Sequence, residues 1–197
     1  MKIMIAALLT AFAAGAAWAQ DGTAKQSAVF AGGCFWCVEE AFDKVPGVLV
    51  TTSGYTGGQV ENPTYQAVSA GGTGHYEAVE VEYDPAKVTY EQLLDVFWKN
   101  IDPFDPNGQF CDKGESYKSA VFVADETERA LAESTKKAVE ERFKQPVATA
   151  LLPEQVFYPA EDYHQNFYQT NPARYQYYKW GCGRAQRLEE IWGKPAA

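Results

Sequence analysis

The chain predicts an α+β fold: a single domain in two layers, with a mixed β-sheet, helices packed on it, and a long coiled C-terminal tail. Three observations carry this. Val79, Val81 and Tyr83 alternate with Glu80 and Glu82, the period of a strand with one wet face. Apolar residues at Phe35, Val38, Ala41, Phe42 and Val45, and again at Leu93, Leu94, Phe97 and Trp98, follow helical spacing. The two patterns mix without the regular βαβ period of a parallel sheet, and there is no internal repeat. With 197 residues, 46% apolar and 14% aromatic, one domain can bury a sizeable core.

Residues 1–19 read as a secretory signal peptide. Lys2 forms a short basic start, Ile3 to Ala17 is apolar and rich in small residues, and Ala17-Trp18-Ala19 is a cleavage site before Gln20. The stretch is too short and wrongly flanked for a membrane span. Residues 20–197 form the mature domain, expected in a periplasm, where thiols are paired or kept reduced by a donor. The net charge is −9, and cleavage removes Lys2 and makes it −10. Such a chain is a poor partner for nucleic acid or anionic lipid.

After a polar leader, Ala28 to Ala31 reads as a buried strand and Phe35 to Val45 as a helix stopped by Pro46-Gly47. Val48 to Thr52 is a second strand, and Ser53 to Gly58 a glycine-rich loop holding Tyr55. A short helix runs to about Ser69, with Pro63 in its first turn. Asp84-Pro85 closes the Val79 strand, and Thr89-Tyr90-Glu91-Gln92 is a capping box. Ile101 to Gly114 is a long loop carrying Cys111 and Asp112. Ser119 to Ala124 is a strand. Asp125 caps a helix to about Phe143, with Ala130, Leu131, Ala138, Val139 and Phe143 inward. Val147 to Leu152 is a further strand. The aromatic-dense Phe157–Gln165 and Tyr175–Trp180 either wrap the core or line a pocket, and Cys182 stands in a hinge between Gly181 and Gly183, before a short closing helix from Arg184 to Trp192.

The chemistry centres on Gly33-Cys34-Phe35-Trp36-Cys37. Cys34 falls where a strand hands over to a helix N-terminus, whose free N–H groups and dipole favour a thiolate. Gly32-Gly33 permit a tight turn and an open sulfur. Cys34-x-x-Cys37 is compatible with a zinc half-site, a thioredoxin-like disulfide exchanger, or a nucleophile recycled by a second thiol. Zinc needs about four ligands, and Cys111, Cys182, His75 and His164 are scattered, so no metal is expected.

Five motifs occur together and in order: Gly33-Cys34-Phe35-Trp36, Gly54-Tyr55-Thr56-Gly57-Gly58, Asn62-Pro63-Thr64-Tyr65, Gly72-Thr73-Gly74-His75-Tyr76-Glu77 and Glu161-Asp162-Tyr163-His164-Gln165. From about Val29 to Pro172 the chain resembles the A-type methionine sulfoxide reductases. The resemblance implies an α+β sandwich with a ferredoxin-like core and reduction of the S-epimer of methionine sulfoxide. It implies that Cys34 attacks the sulfoxide sulfur, that Phe35 and Trp36 hold the methyl group, and that Glu77 donates a proton or hydrogen bond to the oxygen. Tyr65 and Tyr117 would bind that oxygen, and Asp112 would help hold the cysteine environment. No bound cofactor is implied; an external thioredoxin-like thiol supplies the electrons to what is expected to be a monomer. His75 and His164 are read as structural or substrate-rim residues. Two departures concern recycling: Cys111 stands where the family commonly has Asn, and Gln176 where many members have a recycling cysteine.

For recycling, Cys37 is the expected first resolver, since residues three apart in a helical turn lie roughly 5–6 Å apart, within disulfide reach. Cys182 is its rival, and Cys111 and Cys182 would form the second disulfide. The rival functions are a periplasmic thiol–disulfide oxidoreductase acting on protein cysteines and a non-catalytic methionine-binding module.

Overall fold

The computed structural model describes residues 25–194; the expected signal peptide and the start of the leader lie outside them. Strand β1 (Gln26–Gly32) leads into helix α1 (Phe35–Asp43), strand β2 (Val48–Thr56), helix α2 (Tyr65–Ala70) and strand β3 (Tyr76–Tyr83). Helix α3 (Tyr90–Lys99), a small hairpin of β4 (Gly108–Gln109) and β5 (Asp112–Lys113), strand β6 (Ser119–Val123) and helix α4 (Glu126–Phe143) follow. Strands β7 (Ala150–Pro153) and β8 (Tyr158–Pro159) complete the sheet, and α5 (Phe167–Thr170), α6 (Pro172–Gly181) and α7 (Arg184–Trp192) end the described chain.

The six-stranded sheet has the order β7-β6-β1-β3-β2-β8. Every pair in it is antiparallel except β6 with β7. The segment β1-α1-β2-β3-α3-β6, with β1 and β3 central, is the split βαβ arrangement expected. β1 is buried on both faces because its alternate residues serve different clusters. Ala28 and Phe30 meet α1 and α3 through Phe42, Leu93 and Phe97, whereas Val29 and Ala31 join Ala78, Ala120 and Phe122.

Four local expectations are corrected. β2 continues through Ser53-Gly54-Tyr55-Thr56, because β8 pairs with it at Gly54 and Tyr55. A Cβ on Gly54 would stand 2.4 Å from the Phe157 ring, so that glycine serves close strand approach and not a turn. Thr64 caps α2, accepting from the Ala67 N–H, which leaves Pro63 outside the first turn. The inner face of α4 is Leu131, Ala132, Val139 and Phe143, with Ala130 and Ala138 exposed. The tail is not coiled: three helices form it, one of them opened by Pro172 at its first turn. The capping box of α3 is present in full, with Thr89 and Gln92 reciprocally bonded.

Candidate active site

Cys34 is the residue before α1, and its carbonyl accepts from the Cys37 and Val38 N–H groups. Gly33 makes the handover possible: its φ is +80°, and a Cβ there would strike the Gln109 side chain at 2.5 Å. The two glycines therefore provide a turn and room for packing, and they do not expose the sulfur, since Cys34 is 6% exposed. Cys37 is buried directly behind it, and both thiols are free.

One small cavity of about 50 Å³ gathers Cys34, Phe35, Trp36, Tyr65, Glu77, Asp112, Tyr117 and Tyr178. It thus assembles every candidate drawn from the sequence except the resolving cysteines. Glu77 comes from β3 opposite Tyr55 of β2, and its Oε2 accepts from the Phe35 N–H at 3.1 Å. Burial holds its carboxyl up at about 8, against the hydrogen bonds from Phe35 and Tyr117. It is therefore protonated near neutral pH. Tyr65, at the start of α2, and Tyr117, from the turn before β6, both face this cavity. Burial, followed by the Glu77 charge, raises both phenols, so they remain donors.

The cysteine pair corrects one expectation. The position at the start of α1 does not depress the Cys34 thiol: burial raises it, followed by the hydrogen bond and charge of Cys37 and by Glu77. The shift of Cys37 runs the other way. Its pKa is lowered to about 6 by the hydrogen bond from Cys34 and, against its burial, by Arg184, the Tyr175 hydroxyl and Lys179. The two thiols interact strongly enough to titrate as one unit.

Around this cavity the Glu161–Gln165 motif acts as a brace. Glu161 accepts from the Tyr55 hydroxyl and the Tyr65 N–H, each at 2.8 Å. His164 Nδ1 accepts from the Trp36 indole at 3.1 Å, and its ring lies 4.5 Å from that of Tyr65. Burial lowers the His164 pKa and keeps it neutral, as that acceptor role requires. His75 is a loop staple: it accepts from Gly58 N–H and pairs with the Val60 carbonyl at 2.7 Å. A Cβ at Gly58 would lie 2.5 Å from its ring.

Cys111 and Cys182 are joined in a disulfide. The glycines flanking Cys182 therefore do not make a loose hinge; Cys182 caps α6 and is tied to the β4–β5 hairpin. With Asp112 these sulfurs lie within 4.8 Å of one another, but a disulfide leaves no thiolate to bind a metal. The residue missed by sequence reasoning is Tyr178. Its hydroxyl donates to Asp112 Oδ2 and the ring packs beside Cys34, closing the cavity from the α6 side. The density of aromatics in Tyr175–Trp180 was its only signal, and it did not single out one ring.

The family model for peptide methionine sulfoxide reductase matches residues 26–196. The chain is 49% identical over 172 residues to peptide methionine sulfoxide reductase MsrA of Bacillus licheniformis, covering 86% of this chain and 95% of that protein. Among solved structures it resembles Mxr1 of Saccharomyces cerevisiae in reduced form, with TM-score 0.72 and 29% identity over 75% of this chain and 86% of that one. It also resembles methionine sulfoxide reductase A of Corynebacterium diphtheriae, with TM-score 0.67 and 32% identity over 75% and 76% of the two chains.

Proposed function

The chain belongs to the peptide methionine sulfoxide reductase family, and we propose that it reduces the S-epimer of methionine sulfoxide, free or in exposed protein segments, through Cys34. The activity is a thiol-dependent oxidoreduction that returns the sulfoxide to methionine. One observation carries the residue roles: a buried carboxyl held protonated faces the same small cavity as a cysteine and two phenols.

The sulfoxide enters with its methyl group against Phe35 and Trp36 and its oxygen toward Glu77, Tyr65 and Tyr117. The Cys34 proton passes to the Cys37 sulfur, and the Cys34 thiolate attacks the sulfoxide sulfur. Glu77 protonates the oxygen as the S–O bond weakens. The S–O bond breaks, leaving Cys34 bonded to the methionine sulfur. The oxygen, now as water, attacks the Cys34 sulfur, that S–S bond breaks with its electron pair going to methionine, and a proton is released. Cys34 thus becomes a sulfenic acid and methionine leaves. The Cys37 thiol then condenses with the sulfenic acid, forming the Cys34–Cys37 disulfide and releasing water. A thioredoxin-like dithiol restores the pair. Asp112 and Tyr178 hold the cysteine from the tail side. The rival role in protein disulfide exchange would leave Glu77, Tyr65 and Tyr117, gathered around Cys34, without a task. We further propose that residues 1–19 direct export to the periplasm, where the mature chain acts as a monomer.

The test is to incubate residues 20–197 with each epimer of a methionine sulfoxide peptide and dithiothreitol. Loss of the S-epimer alone is expected. Equal loss of both, or loss of only the R-epimer, overturns the reading. Cys34→Ser abolishes turnover, because an alcohol is not nucleophilic at neutral pH.

A further inference from the structure

The two thiols of the pair open into different spaces. Cys34 lines the small cavity described above and Cys37 does not; Cys37 lines a second cleft of about 620 Å³, and Cys34 does not. That cleft lies between α1, the C-terminal end of α3, α4 and the α6–α7 turn. Its volume falls in the range of small-molecule sites, roughly 300–1,000 Å³.

Its charge is opposite to that of the chain. Lys44, Lys99, Arg142, Lys179, Arg184 and Lys194 line it, against the two carboxylates Glu40 and Glu189, in a protein whose net charge is −9. Glu40 is consumed by Lys44 and Lys179 together, and Glu189 pairs with Lys194. Among the described residues neither arginine pairs with a carboxylate. Arg184 donates to the Asn100 carbonyl and lies 4.3 Å over the Phe110 ring, and Arg142 lies 5.4 Å over the Trp192 ring. Two guanidinium groups are thus held in place by a carbonyl and by rings, with donors left for an anion.

We propose that this cleft binds a small carboxylate-bearing thiol of the glutathione class and that the thiol reduces the protein by attacking Cys37 from the side away from the sulfoxide. The inference rests on Cys37 being the resolving cysteine. The carboxylates sit on the arginines and lysines, and the ligand thiolate attacks the Cys37 sulfur of the Cys34–Cys37 disulfide. A ligand–Cys37 disulfide forms, and Cys34 leaves as a thiolate that takes up a proton. A second thiol molecule attacks the ligand sulfur, releasing Cys37 and the oxidised ligand dimer. Two thiols are oxidised for each sulfoxide reduced, and the electrons balance. Substrate and reductant then occupy opposite sides of one dithiol and do not compete.

S-methylglutathione, which has the carboxylates but no reactive thiol, is the probe. Titrated into the reduced mature chain and followed by calorimetry, it is expected to bind, with affinity falling about tenfold or more in Lys99→Glu/Arg142→Glu. Lys25→Glu/Lys137→Glu, at two exposed lysines outside the cleft, makes the same change of four charges and controls for net charge. Steady-state inhibition by the probe is expected to be competitive against glutathione and not against methionine sulfoxide. Absence of binding, or binding equal in all variants, overturns the proposal. So does a glutathione adduct that maps to Cys182 after reaction with the oxidised protein. If turnover with a thioredoxin falls in the double variant while S-methylglutathione does not bind, the cleft belongs to a protein donor and the small-thiol reading fails. Mapping the first disulfide separates the two layers of argument. A Cys34–Cys182 bond defeats the resolver assignment and the attack on Cys37, while probe binding to the reduced protein still decides whether the cleft is an anion site.

Discussion

Glu77 ties burial to stability and, in the proposed mechanism, to catalysis. In an unfolded chain its carboxyl titrates in the usual glutamate range, whereas in the fold burial holds it near 8. Between those values the native state keeps a proton that the unfolded state has lost. This group therefore lowers stability progressively as pH rises through that window, and the loss is complete above about 8. Glu77→Gln keeps the shape and the acceptor for the Phe35 N–H but cannot ionise. The variant is expected to be about 1 kcal/mol or more stabler than the parent at pH 8, with the difference vanishing near pH 4 in urea melts. Its turnover is expected to fall about a hundredfold or more and to lose the parent's decline above pH 8. A variant no stabler than the parent at pH 8, or equally active, would remove Glu77 from the acid role. Tyr178 makes the complementary case for a residue that touches the reacting sulfur from the tail. Tyr178→Phe leaves the half-buried Asp112 carboxylate without its donor and is expected to cost about 1 kcal/mol. It also removes a hydroxyl beside Cys34, so kcat should fall more than KM rises. Additive effects of Tyr178→Phe and Asp112→Asn would show that the two do not act as a unit.

Among the elements, β8 is the shortest strand that matters to the site. Its two residues pair with Gly54 and Tyr55 and deliver Glu161 to the Tyr55 hydroxyl and the Tyr65 N–H. Gly54→Ala places a methyl within 2.6 Å of two Phe157 ring atoms and the Tyr158 carbonyl. It should destabilise the protein by about 1–3 kcal/mol and raise KM by loosening Tyr65; a melting curve and a KM like the parent's would show that β8 does not brace the site. This element also marks the limit of what the chain discloses by itself. Strands and helices with a strong period, such as β3 and α3, were legible because their apolar faces repeat locally. Gly54 looked like a turn residue because the group that crowds it, Phe157, is about a hundred positions away. Of the candidate cluster, Cys34, Phe35, Trp36, Tyr65 and Glu77 were legible through motifs in register, yet Tyr178 was not, since its partner Asp112 and its neighbour Cys34 lie on other elements. The helix-start argument for a depressed Cys34 pKa failed for the same reason: burial and Cys37 are three-dimensional facts, and they outweigh a helix end.

At the scale of the molecule, the Cys111–Cys182 disulfide ties the helical tail to the hairpin that carries Asp112, across a sequence separation of 71 residues. The tail covers both free thiols, through Phe167 and Tyr175 packed on Cys34 and Cys37. Closing a loop of this length restricts the unfolded chain and is worth about 4 kcal/mol in the chain-entropy description. For a domain of this size that corresponds to a fall in Tm of roughly 10 °C when the bond is absent. Cys111→Ser/Cys182→Ser isolates the effect without touching the Cys34–Cys37 pair. The double variant is expected to melt at the lower temperature in both oxidising and reducing buffer, while the parent falls to meet it only with reductant. If Cys37 resolves Cys34, one turnover of the double variant without reductant should still close the Cys34–Cys37 disulfide, read by peptide mapping, because the clamp supplies stability and no electrons. A double variant that melts with the parent would show that α6 is held by packing alone. A variant that stalls at the sulfenic acid would move the resolving role to Cys182 and make the clamp part of the electron path.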